Sequence, residues 1–325
     1  MERNKPRFFK GLPRYTREDD EVLARDAEET IYRWWWEYLR LSPALWFARQ
    51  TGHTPVDSKM AEVNELAGDL NGKHFNRWWY DTGVNVFAEA KRPARVTALD
   101  LENLHDHPFK KGSLYLDIPL TIRKETILKQ VREMLNEVHS GRELDVTASA
   151  NAIFKLHTKR YRLHVVELEY WVLLYRLLYK DIKVWKIGDR LQLSPHLKLR
   201  GAERNVRFGD KRFNQLSSLT GRYLYKARYT LANVERRSFP NGSKIIVPEN
   251  FMPFGKKYDQ EYRAATGQID DVESEWHKWL HEEYAVTLKF EIARRNRLVE
   301  SMKLPGSKLR QRMPDFIAGK SDLLD

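Results

Sequence analysis

One segment of this chain is apolar on nearly every side of a helix, and it fixes where a core has to form. Between 163 and 179, Val165, Val166, Leu168, Trp171, Val172, Leu174, Tyr175, Leu177 and Leu178 leave almost no polar face. The run falls short of the roughly 20 residues of a bilayer span. A helix like this has to be enclosed by other protein, so it is expected to be the central core helix of its module. Most remaining segments repeat apolar residues at steps of three and four, the helical period. The expected fold class is therefore mostly α: a multi-helix chain with a minor β element and a helix-turn-helix-like basic module.

Residues 1–16 read as an extended basic arm. A helix start at Thr16 and Asp19 leads to Arg40, with Ile31, Trp34, Trp35, Tyr38 and Leu39 on one face. Ser42-Pro43 caps and opens a second helix carrying Leu45 and Trp46. Two short helices are expected near 58–69 and 73–81. Trp34, Trp35, Trp36, Trp46 and Trp78 read as an aromatic helical core in preference to a ligand cage. Trp36 is out of phase and is expected to be exposed or to touch another domain.

Leu114, Leu116, Ile118, Leu120 and Ile122 alternate, so 112–122 reads as a strand, placed at an edge or end by Pro119. Helix 123–139 follows, then a Ser/Thr/Asn-rich linker at 140–158. Helices are expected at 182–193 and from Lys211 to Arg236. A Pro- and Gly-rich connector spans 237–268, and a last helix spans 270–300. The expected regions are a Trp-rich helical part (1–95), a small α/β middle (96–150), a basic module (151–240), and the connector with the last helix (241–325).

Charge narrows the function. The 325 residues carry a net charge of +12. Between Lys155 and Pro240 there are 20 Lys+Arg and 7 Asp+Glu, a net of +13, which leaves 37 basic against 38 acidic residues elsewhere. Concentration of the whole surplus in one segment favours a polyanion partner over a solvated helix face. Within it, residues 183–196 have the form of a first helix and its turn. Ile187 and Leu191 point inward, and Gly188 allows a close helix approach. Two segments compete as the reading helix. One follows the turn and holds Lys198, Arg200 and Arg204. The other begins the long helix with Lys211, Arg212, Asn214, Gln215, Ser218, Arg222 and Lys226. Asn and Gln suit adenine edges, Arg suits guanine, and Ser and Lys suit phosphates.

Other chemistries have weaker signatures. Zero cysteines exclude disulfide scaffolds, thiolate metal sites and a Cys nucleophile. No P-loop, G-x-G-x-x-G or G-x-S-x-G motif occurs. A metal-dependent nuclease reading places Glu89 and Lys91 at the end of a short strand from Gly83, with Asp69 or Asp81 upstream. His105, Asp106 and His107 read as a turn before Pro108 in preference to a metal site. No metal, cofactor or catalytic residue is expected.

The stretch Trp34-Trp-Trp-Glu-Tyr-Leu-Arg-Leu-Ser-Pro resembles the W-x-(F/Y)-L-R-x-(N/S)-P motif of regulator-like proteins from proteobacterial phages and mobile elements. Those proteins also have a C-terminal helix-turn-helix-like region, which here corresponds loosely to residues 165–235. The resemblance implies a transcription-related DNA binder. The expected function is a non-catalytic regulator or accessory factor of a phage or mobile element in the bacterial cytoplasm. Its expected partner is duplex DNA first and RNA second, without a membrane, and with homodimerisation left open. The rivals are the nuclease and a phage assembly or interaction protein with a nucleic-acid-facing surface.

Overall fold

The computed structural model of the chain describes residues 9, 12, 24, 26–55, 57–70, 73–89, 114–138, 152–158, 161–197, 211–245, 256–285 and 287. It is mostly helical, as the periodicity predicts. Chain contacts divide it into two units, one of residues 1–90 with 151–325 and one of residues 91–150. Residues expected in the Trp-rich region, the basic module and the last helix thus share the first unit and one aromatic core.

At the heart of that unit lies α1 (Ile31–Arg40), every residue of which is buried. Thr30 caps it, its hydroxyl oxygen accepting from the Tyr32 N–H at 3.4 Å. Turn residues 29 and 30 separate it from the helical residues 26–28, so the helix leading to Arg40 restarts at this cap. Burial on all sides forces Arg33, Glu37 and Arg40 inside, where the two cations pair with the one carboxylate. Arg33 and Arg40 lie 3.5 and 3.3 Å from Glu37, which also accepts from the Tyr170 hydroxyl at 3.1 Å. Arg40 continues to Glu283 and donates to the Thr287 hydroxyl at 3.1 Å. Trp36 is buried, contrary to its phase: the Arg40 guanidinium sits 4.4 Å over its ring, and Phe75 and Trp78 close around it.

Ser42 caps α2 (Pro43–Thr51), as expected, accepting from the Leu45 N–H at 3.1 Å. Asp57 caps α3 (Ser58–Ala67). The next helix, α4, is longer than 73–81. It runs Phe75–Trp78, then a π-helical turn Trp79–Gly83, then Val84–Phe87. The short strand that the nuclease reading places from Gly83 toward Glu89 is therefore helix as far as Phe87. Phe87 is buried and packs against Tyr32, Trp35 and Trp79, and that packing overrides the strand preference of Val84 and Val86.

The chain re-enters the same core at 152–158, which is not the free linker the composition predicts. The Phe154 N–H donates to the Val86 carbonyl at 2.8 Å, and its ring stacks on Trp35 at 5.3 Å. Helix α6 (Leu163–Leu178) is buried along most of its length, as its apolar run demands. It packs against α1 and α8 (Lys211–Val234), and α8 also lies against α7 (Val184–Arg190). Helix α9 (Lys256–Thr266) falls within the expected connector and covers α2, with Tyr262 stacked on Trp46 at 5.6 Å. Residues 272–285 form α10, whose Trp276 and Leu280 are buried as expected.

In the second unit, α5 (Lys124–Val138) forms as expected. The strand at 112–122 does not: residues 114–119 are irregular, 120–122 turn, and Leu120 is 89% exposed. Alternation makes one face apolar but supplies no partner for the backbone, and Pro119 has no N–H to pair. The β content among the described residues is limited to isolated bridges, such as Leu156 with Phe239. Among the described residues no helix is long and apolar enough to cross a membrane.

Candidate nucleic-acid interface

The long helix α8 holds the candidate site because its two faces differ so sharply. Leu216, Thr220, Leu224, Ala227, Thr230 and Val234 are buried against the core. Two of these are threonines, which the apolar count overlooks. The Thr220 hydroxyl is buried and donates to the Leu216 carbonyl four residues back at 2.7 Å. Phe213, Leu219, Tyr223 and Leu231 are only partly buried. Where α7 crosses, Gly188 lies on α8: a Cβ there would come within 2.1 Å of Thr220 Oγ1 and 3.0 Å of Leu216 Cδ1. Trp185 and Phe213 seal the same junction at 4.6 Å.

The opposite face is polar and open. Lys211, Asn214, Gln215, Ser218 and Arg222 recur at three- and four-residue steps, and all five are exposed. Together with Leu197 and Leu219 they line an open groove of about 380 Å³. None of the five side chains makes a hydrogen bond or ion pair with a described residue. The 24 residues of α8 include five Lys or Arg and no Asp or Glu. The groove is thus a cationic strip with two side-chain amides, able to give and accept hydrogen bonds.

Two other candidates on α8 are placed differently. Arg212 is half-buried and engaged elsewhere. Lys226 is exposed on the same face, but its Nζ lies 3.9 Å from the Glu169 carboxylate of α6. Burial pushes that carboxyl up to about 7, against the pull of Lys226. The sequence reading missed Glu169 because it lies in the apolar run, on a helix read only as core. It also leaves Tyr225 and Tyr229 without a role; they follow Arg222 at three and seven residues along the same helical line, Tyr225 exposed and Tyr229 half-buried. Tyr225 is 54% exposed.

Lys198, Arg200 and Arg204 lie outside the described residues, so the competing reading segment is represented by the 3-10 turn Pro195–Leu197 alone. Between Arg190 at the end of α7 and Lys211 at the start of α8 the chain is far longer than the 3–4-residue turn of a helix-turn-helix. The two helices cross in contact without that tight turn.

For the nuclease candidates, Glu89 accepts from the Ala152 N–H at 3.2 Å, and Asp81 pairs with Arg77 at 3.0 Å. Lys91 and the stretch His105–His107 lie outside the described residues. Among the described residues no three His, Asp or Glu side chains group as metal ligands would. Comparison with known proteins finds no matching family model, no matching curated protein and no matching solved structure.

Proposed function

We propose that the protein is a non-catalytic nucleic-acid-binding protein that grips its partner with the exposed face of α8. The observation that carries this reading is the strip Lys211, Asn214, Gln215, Ser218 and Arg222, exposed and unengaged on a helix without acids. Cations at this spacing match a phosphate backbone, and Asn214 and Gln215 match adenine edges in a major groove. The charge surplus between Lys155 and Pro240 supports the same partner. Duplex DNA is the first candidate, because an exposed helix face with amides beside cations suits the base edges and phosphates of a major groove. A role in transcription, as a regulator or accessory factor of a mobile element, is the finer reading; it rests on the resemblance at Trp34–Pro43.

The test separates base reading from phosphate holding. A preferred duplex is selected from a random pool, and affinities are measured for it and for a scrambled duplex at one salt concentration. Asn214→Ala or Gln215→Ala is expected to reduce the preference by ~1–3 kcal/mol while sparing the scrambled duplex. Arg222→Ala is expected to weaken both duplexes alike. If none of the three substitutions alters either affinity, α8 is not the interface.

A further inference from the structure

The exposed stripe of α8 does not stop at its cationic end. Positions 211, 215, 218, 222, 225 and 229 follow one helical line, and the last two are tyrosines. Tyr225 is 54% exposed, among the most open large hydrophobic side chains of the described residues. Its ring meets Tyr229 edge to face at 4.8 Å and 67°, so its orientation is held from one side. Arg222 and Lys226 flank it. A tyrosine serving the core has no reason to stand there: the buried face of α8 at this level belongs to Leu224 and Ala227. An exposed ring between two cations offers a stacking surface for a base and charges for the phosphates on either side of it.

We propose that the nucleic acid bound by α8 carries an unpaired stretch, and that one of its bases stacks on Tyr225. This rests on the reading of α8 as a nucleic-acid interface and names the form of its ligand: a paired part along Lys211–Arg222 that opens into single strand at the tyrosines. The spacing fits. Tyr225 lies seven residues beyond Ser218, about 10 Å along the helix axis at ~1.5 Å per residue. That is about three nucleotide steps at ~3.4 Å. Inside a continuous duplex the bases already stack on each other and offer Tyr225 no free face.

The experiment uses the full chain and three fluorescent probes of one sequence: a blunt duplex, the same duplex with an overhang of about six nucleotides on either strand, and the isolated strand. Wild type is expected to bind one overhang duplex about tenfold more tightly than the blunt one. Tyr225→Ala removes that advantage and leaves blunt-duplex affinity unchanged, whereas Tyr225→Phe keeps it, because the ring and not the hydroxyl does the stacking. Equal binding of blunt and overhang duplexes by wild type overturns the proposal, as does an overhang advantage that survives in Tyr225→Ala. Failure of the underlying reading looks different: no probe binds, or Arg222→Ala leaves every affinity unchanged, and either result overturns both.

Discussion

At the scale of single residues, the tightest constraint is Gly188. It is the point where α7 crosses α8, and its missing Cβ leaves room for Thr220 and Leu216. Gly188→Ala places a methyl group 2.1 Å from Thr220 Oγ1, so the Thr220 side chain or one of the helices has to shift. The expected loss is ~1–3 kcal/mol, the usual range for overpacking a filled core. Thr220→Ala in the same chain vacates that space, so the double variant is expected to be more stable than the sum of the single losses predicts. Urea midpoints at unchanged m-value measure both effects. A neutral Gly188→Ala contradicts the crossing as described. The need for glycine at 188 is legible in the sequence, since it sits between inward positions of a short helix. Its contact is not, because Thr220 counts as polar until its hydroxyl is seen bonded to its own helix.

At the scale of elements, the end of α8 joins two helix starts. Glu235 accepts from the hydroxyl of Ser42, the cap of α2. Its neighbour Arg236 donates to Asp57, the cap of α3, at 2.9 Å. Burial pushes the Glu235 carboxyl up to about 7, with the Ser42 bond and Arg236 pulling the other way. Between the ordinary value of 4.5 and about 7, the folded chain holds a proton that the unfolded chain has lost. Stability is therefore expected to fall as pH rises through that window and to level off above it. Glu169, pushed up to about 7 by burial, adds a change of the same sign. Asp57 is held below its ordinary 3.8, because two backbone N–H groups and Arg236 outweigh its burial, so it acts only in stronger acid. Glu235→Gln is expected to flatten the decline in urea midpoint between about pH 5 and pH 7, and an unchanged decline contradicts the assignment. Elements with a long three-four period, α5, α6 and α8, are legible in the sequence; burial dictates the period in α6 and α8, whereas the apolar positions of α5 are exposed or half-buried. Others are not. Residues 112–122 alternate like a strand but have no partner, and Val84–Phe87 reads as β-branched yet continues a helix under Trp35 and Trp79. Helix α9 hides between Gly255 and Gly267 because the surrounding connector, with Pro240, Gly242, Pro248 and Pro253, reads as loop.

At the scale of the whole molecule, the sequence makes the electrostatics plain and leaves the shape of the interface to the fold. The +13 surplus between Lys155 and Pro240 is visible by counting. Which of those charges face one groove depends on how α8 is rotated by its contacts with α6 and α7. Of the candidates named from sequence, Lys211, Asn214, Gln215, Ser218 and Arg222 meet on one face, while Arg212 turns partly inward. Tyrosines interleaved with basic residues can stack on bases, but in the sequence they read first as core. The buried Arg33, Glu37 and Arg40 are equally hidden, since charged residues in an aromatic helix read as its solvent face. If α8 grips a phosphate backbone as proposed, duplex binding depends steeply on salt. For wild type, log affinity is expected to fall linearly with log salt at a slope of roughly −4 to −7, which corresponds to about 4–8 phosphates neutralised. Arg222→Ala is expected to reduce the magnitude of that slope by about 1. Affinity that stays flat from low to physiological salt, or a slope identical in Arg222→Ala, would contradict that reading of α8.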